Sequence, residues 1–454
     1  MAGFFLSFRI GRILGLFFFV AGLLQYRSYH RDVFGLWSYS FIISVAIATM
    51  VLLVVFLLLP RAQLVDLAFL CWGLAYFLNA LDSRENATNI KDLILFGSAM
   101  PAAALLQWVS LVILFVAVAR ASIPGLDEKW SGLAMLLGTL IGIALLGEGF
   151  LRVKVAVAPA MQGLPSYSAF AWKRRFVRLN SEGFRDGEHS LARDSAARRM
   201  LIVGDSFAFG WGIPHIEDRI GEQVASRLAK ATGARWEVVN ASKPGADTLD
   251  EITYLNQTIK YRPDAVVLIY IFNDIDYLLP QIKATSLRNP IVRSIWLNSY
   301  LFQDLFTRIR VIYYRFRGVG PSVPSAASSE MTDSEFAAYA DPVLMSQHLA
   351  DIASFVEIGR QKGAEVFVVP YDLAVTLQPR AQVRYADFLR QTSQRGIPIC
   401  SLEHTWEGLS FRELTLSSTD GHPNERSIGM SADAIAKCMV AGSQTWAAPA
   451  QLHP

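Results

Sequence analysis

The chain has 454 residues, 52% of them hydrophobic, and a formal net charge of +3. That apolar content is too high for an ordinary soluble protein of this length, so a membrane part is expected. The small charge, with no long basic run interleaved with aromatics, gives nucleic-acid binding no support. The apolar excess lies almost wholly before residue 155, and the remainder has the composition of a soluble domain.

In chain order, the first apolar run is 10–26, at the short limit for a spanning helix, which needs about 20 apolar residues. Arg9 and Arg12 precede it, but no small-residue cleavage pattern follows at Leu24-Gln25-Tyr26, so it reads as retained. The runs 37–59 and 93–119 carry no charge; 64–81 carries Asp66 near its start, and 130–150 carries Glu148 near its end. Residues 1–154 are therefore expected to form an all-helical, multi-pass transmembrane region of four or five helices. Five spans with an inside N-terminus put the C-terminal part outside the cytoplasm; four leave both outcomes open. Arg9, Arg12, Arg61, Arg120 and Lys129 nearly balance Arg27, Arg31, Arg84 and Lys91, so positive charge does not fix the orientation. Glu148 either reaches the interface or serves a function inside the membrane. Residues 155–198 read as a connector whose Lys173, Arg174, Arg175 and Arg178 suit solvent or lipid headgroups.

From residue 199 to 445, short apolar runs alternate with helical stretches. Strands are expected at 200–204, 236–240, 265–271, 364–370 and 397–402. The run 265–271 is nearly continuous and β-branched, as in a strand buried on both faces. Helices are expected at 217–232, with Ile220, Val224 and Leu228 on one face, at 248–260 and at 425–440. This alternation argues for a doubly wound parallel α/β sheet of three layers. An insert at about 280–330 has a helical, aromatic first part (291–314) and a small, polar second part (318–330). It could form a lid or a substrate wall, or pack on the membrane part. The three cysteines, Cys71, Cys400 and Cys438, make neither a disulfide framework nor a metal cluster and read as buried structural thiols.

The chemistry concentrates at strand ends. Ser206 follows the first strand in Gly204-Asp205-Ser206-Phe207, on a tight turn where backbone N–H groups can face a developing oxyanion. The tripeptide alone also suits a helix cap. A serine nucleophile needs a base. Of seven histidines, His422 stands in Thr419-Asp420-Gly421-His422-Pro423-Asn424, with Asp420 close enough to orient its ring. Asn273, after the third strand, could donate its amide to an oxyanion, and Gly245, after the second, its N–H.

These four separated motifs resemble the SGNH hydrolase superfamily, the GDSL-type esterases and lipases, over about 199–441. The stretch Leu179-Asn180-Ser181-Glu182-Gly183-Phe184-Arg185 is similar to the lead-in of membrane-linked bacterial members. The resemblance implies Ser206 as nucleophile, His422 as base, and Ser206 N–H, Gly245 N–H and Asn273 as the oxyanion hole, with no cofactor or metal. The family places its aspartate three residues before the histidine, where this chain has Thr419; Asp420 is only two before. Either Asp420 orients His422, or a backbone carbonyl does and a Ser-His pair operates.

The expected function is a membrane-anchored serine esterase that removes or transfers an O-acyl group, acetyl first, on a cell-envelope carbohydrate or lipid. Its catalytic domain is expected outside the cytoplasm, in contact with the lipid bilayer and an acylated substrate. The alternatives are an acyltransferase fed by a membrane acyl donor and a carbohydrate-binding assembly protein without activity.

Overall fold

The structure, a computed structural model, describes residues 14–18, 63–82, 101–122, 128–157, 167–192, 194, 196–279, 295, 299–316, 333–371, 373, 379–417, 420–443 and 445–446. In chain order the main elements are α1 (Gln63–Asp82), α2 (Pro101–Ser122), α3 (Glu128–Val157), α4 (Tyr167–Phe176), β1 (Ala197–Gly204), α5 (Ser206–Phe209), α6 (Ile220–Thr232), β2 (Arg235–Ser242), α7 (Thr248–Thr258), β3 (Ala265–Tyr270), α8 (Tyr300–Phe316), α9 (Pro342–Gln361), β4 (Glu365–Pro370), α10 (Pro379–Gln394), β5 (Thr415–Ser417), β6 (Asp420–Pro423) and α11 (Glu425–Gly442). They fall into two compact units. One draws on Met1–Ala160, Pro165–Arg175 and Ala284–Gly320; the other holds Met161–Leu164, Phe176–Lys283 and Pro321–Pro454.

In the first unit α1 packs on α2, α2 on α3, and α3 on α8. The helical part of the insert therefore belongs with the first unit, one of the alternatives left open by the sequence. Among the described residues one helical segment, Met135–Val157, is long and apolar enough to cross a membrane; Asp66–Ala75 and Pro101–Ala117 are shorter apolar helices. Of the four or five spans expected, the described residues thus hold one such helix. The candidate at 37–59 lies outside the described residues, as does most of that at 10–26. Leu140, Ile143 and Phe150 of α3 are more than half exposed. Inside the unit, Ser110 Oγ donates to Ala68 O at 2.7 Å, tying α2 to α1.

The second unit is built on a four-stranded parallel sheet of order β2-β1-β3-β4. Successive side chains of a strand point to opposite faces. Met200 and Ile202 of β1 accordingly join Val224, Leu228, Ile428 and Ile435 from α6 and α11 on one face. Leu201 and Val203 join Leu255, Ile352 and Phe355 from α7 and α9 on the other. The result is a helix–sheet–helix sandwich, the three-layer parallel α/β arrangement that the alternation of the sequence implies.

Two details correct the sequence reading. The strand expected at 397–402 is a single parallel bridge, Val368 to Ile399. Val368 N donates to Pro398 O and Cys400 N to Val368 O, but Pro398 has no N–H to extend a ladder, and a turn follows. Secondly, Cys400 and Cys438 form a disulfide, with Cα atoms 5.7 Å apart, while Cys71 is free. The bridge joins the end of that bridging segment to α11, the helix that follows His422.

Candidate active site

Gly204 at the end of β1 pairs with Ser242 of β2 and Ile269 of β3. The turns after β1, β2 and β3 therefore emerge side by side at the carboxyl edge, where ligands of open α/β sheets bind. A Cβ on Gly204 would come within 2.8 Å of Ile269 O and of Ala208 Cβ, so only glycine lets the turn into α5 pack this closely. Ser206 opens α5, and Asp205 caps it, accepting from Phe207 N at 2.9 Å.

The structure brings Ser206, His422 and Asp420 together. Ser206 Oγ lies 2.9 Å from His422 Nε2, and His422 Nδ1 lies 2.6 Å from Asp420 Oδ1. All three residues are buried. The two-residue spacing between Asp420 and His422 has a structural reason. Both lie on β6, where residues two apart point to the same face. Asp420 Oδ1 also accepts from His422 N at 3.1 Å, so one carboxylate oxygen holds both the ring and the backbone of the histidine. With Nδ1 donating to Asp420, Nε2 is left as an acceptor for the serine proton.

Ser206 Oγ is also 2.9 Å from Asp205 Oδ2. One hydroxyl proton cannot serve two acceptors, so donation to Asp205 competes with donation to His422. Burial pushes the Asp205 carboxyl above its ordinary value, against the hydrogen bond from Phe207 N and the influence of His422. If Asp205 were protonated, it would donate to Oγ and leave the serine proton for His422. Glu251 of α7 and Asp274, after β3, are wholly buried as well. Desolvation holds both well above the usual carboxylate range, and Glu251 raises Asp274 further.

The remaining expected residues lie on the adjoining turns. Gly245 follows β2, exposed, with φ +78°, a conformation that favours glycine and leaves its N–H on an open turn. Asn273 follows β3, partly buried, and its Oδ1 is enclosed without a hydrogen-bond partner. Asp274 beside it accepts from Ile271 N at 2.8 Å, which closes the turn that carries Asn273. Among the described residues no group of three or more His, Cys, Asp or Glu side chains is placed to hold a metal ion.

Sequence reasoning did not single out the aromatic surroundings of the histidine. The rings of Phe207 and Trp211 lie 5.4 Å and 6.0 Å from that of His422, both carried by the segment after Ser206. Their place in Phe207-Ala208-Phe209-Gly210-Trp211 was the only available signal. The β5–β6 hairpin that presents His422 was missed too.

Residues 202–427 match the model of the GDSL-like Lipase/Acylhydrolase family. Similar solved structures include TesA (16% identity, 53% of this chain and 98% of that one, TM-score 0.33). Others are a lipase from a goat rumen metagenome (13%, 53% and 97%, TM-score 0.35) and a lipase/acylhydrolase from Enterococcus faecalis (15%, 53% and 95%, TM-score 0.31). A comparison with curated protein sequences found no match.

Proposed function

We propose that this ester-hydrolysing enzyme, whose residues 202–427 form a GDSL-type hydrolase domain, works through an acyl-serine on Ser206 and acts on O-acyl groups of cell-envelope carbohydrate or lipid. The observation that carries the mechanism is the unbroken chain from Ser206 Oγ to His422 Nε2 and from His422 Nδ1 to Asp420. Ser206 Oγ attacks the ester carbonyl as His422 takes its proton, and Asp420 stabilises the imidazolium that forms. Ser206 N–H, Gly245 N–H and the Asn273 amide receive the oxyanion. His422 then gives its proton to the leaving alcohol. Water, activated by the same histidine, releases the acid; a sugar hydroxyl in its place would make the reaction a transfer.

The membrane assignment rests on Met135–Val157. Only 17% of its most apolar window is buried, whereas the core helix of a soluble protein is mostly enclosed. An apolar helix with so much uncovered surface fits a hydrocarbon solvent. The Cys400–Cys438 disulfide supports a catalytic domain outside the cytoplasm, because such bonds persist in oxidising compartments. A membrane-bound esterase facing out would meet envelope substrates directly.

The test uses a fluorophosphonate probe on intact cells, in permeant and membrane-impermeant forms. Both label the wild-type protein, and Ser206→Ala abolishes the signal. Labelling that survives Ser206→Ala removes the serine mechanism, and labelling by the permeant form alone removes the outward orientation.

A further inference from the structure

Arg185 lies outside the matched domain, yet its side chain reaches into the segment that follows the nucleophile. It is 1% exposed. Nη1 donates to Gly210 O at 2.7 Å and Phe209 O at 3.3 Å. Nη2 donates to Ile213 O at 2.8 Å and Pro214 O at 3.0 Å. Four carbonyls of one loop thus converge on a single guanidinium. The backbone of Arg185 is held as well: Arg219 donates to Arg185 O and itself pairs with Glu222 and Asp186. Burial, with Arg219 alongside, lowers the Arg185 pKa to about 10, which still leaves it charged at neutral pH.

The clamped loop is wired to the reacting groups. Trp211 N donates to Ser206 O at 2.9 Å, and Asn240 Nδ2 donates to Ala208 O at 2.9 Å. The Trp211 ring, in the middle of the clamped stretch, tilts beside the His422 ring. Without the cation, four inward-facing carbonyls would be buried against one another, and the loop would open to water. A lysine supplies one point charge and cannot span both carbonyl pairs, whereas the planar fork of arginine can.

We propose that Arg185 is a positioning residue for ester hydrolysis, fixing the loop 209–214 so that Trp211 holds the His422 imidazole in line with Ser206. This rests on the reading of Ser206 and His422 as nucleophile and base. Displacing a reacting group by about 1 Å costs up to about 100-fold in rate, which sets the expected scale.

The experiment uses the full-length protein in detergent, with p-nitrophenyl acetate turnover, fluorophosphonate labelling rate and thermal unfolding measured in parallel. Arg185→Lys is expected to stay folded, lose about 10- to 100-fold in kcat with KM unchanged, and slow labelling by the same factor. Arg185→Ala loses more, and added methylguanidinium restores part of it. Trp211→Ala, which leaves the clamp in place, is expected to lower kcat as well. Wild-type kcat in Arg185→Lys, or a loss confined to KM, overturns the proposal, as does wild-type kcat in Trp211→Ala. A Ser206→Ala control that still labels brings down the underlying mechanism and this proposal with it. Clean Ser206 dependence with an indifferent Arg185 brings down this proposal alone.

Discussion

The two units are close to inversions of one another. In the hydrolase unit the large apolar side chains fill two layers against the sheet. In the helical unit α3 turns Leu137, Leu140, Ile143 and Phe150 outward and keeps Arg152 inside, 2% exposed. Arg152 pairs with Glu148 at 2.6 Å and donates to Gln107 at 3.2 Å. Glu148 in turn accepts from Tyr300 N at 3.1 Å and Leu301 N at 2.8 Å, placing a carboxylate at the positive end of α8. Buried polar groups in the helical unit thus fasten helices together, while those at the edge of the sheet form the chain from Ser206 through His422 to Asp420.

The strongest way to sharpen this contrast is to disturb a buried polar group of the hydrolase unit without changing its size. Asp420→Asn keeps the volume but removes the charge that would stabilise an imidazolium and sets the histidine tautomer. Activity on p-nitrophenyl acetate is expected to fall by about 100- to 10,000-fold, the scale of such losses in Ser-His-Asp systems. A loss of less than about tenfold would show that His422 works as half of a Ser-His pair.

The next test breaks the inversion itself. Ile143 is 63% exposed on α3, and Val383 is 66% exposed on α10. Counted as surface area they are alike. If α3 faces lipid, Ile143→Arg costs about 3 kcal/mol of insertion energy, whereas Val383→Arg stays within about 0.5 kcal/mol, as surface changes do. Carbonate extraction of membranes and unfolding in detergent read the two effects. Equal behaviour of both variants would mean that water bathes both helices.

Much of the hydrolase unit was legible in the chain. The strand at 265–271 announced itself because burial on both faces demands an unbroken apolar run. Ser206 and His422 stood out because each sits in a turn motif at an element boundary. What was not legible has physical reasons. β5 and β6 are three and four residues long, too short for alternation to register. Without β6, the two-residue spacing of Asp420, a departure from the family's pattern, had no structural reason. The Cys400–Cys438 bridge spans 38 residues, and spacing does not reveal connectivity. Nor could periodicity tell which unit α8 would join, since an amphipathic face does not name its partner.

The smallest expected effect concerns Glu251, whose two carboxylate oxygens are buried without hydrogen-bond partners. Desolvation raises it first, then Asp205, Asp247 and Asp250; Asp274, raised by the same cluster, lies close by. With its folded pKa above the unfolded value, the folded state binds more protons than the unfolded one between the two. Stability is therefore greatest below the ordinary glutamate value and falls as pH rises through that window. Glu251→Gln cannot ionise, so its unfolding temperature should decline less between pH 6 and pH 9 than that of the wild type. The amide carries its own constant cost, so the slope and not the absolute value is the measurement. A slope equal to that of the wild type would place the pH sensitivity of this interior in Asp274 instead. The raised carboxyl that matters would then be the one next to Asn273 in the chain.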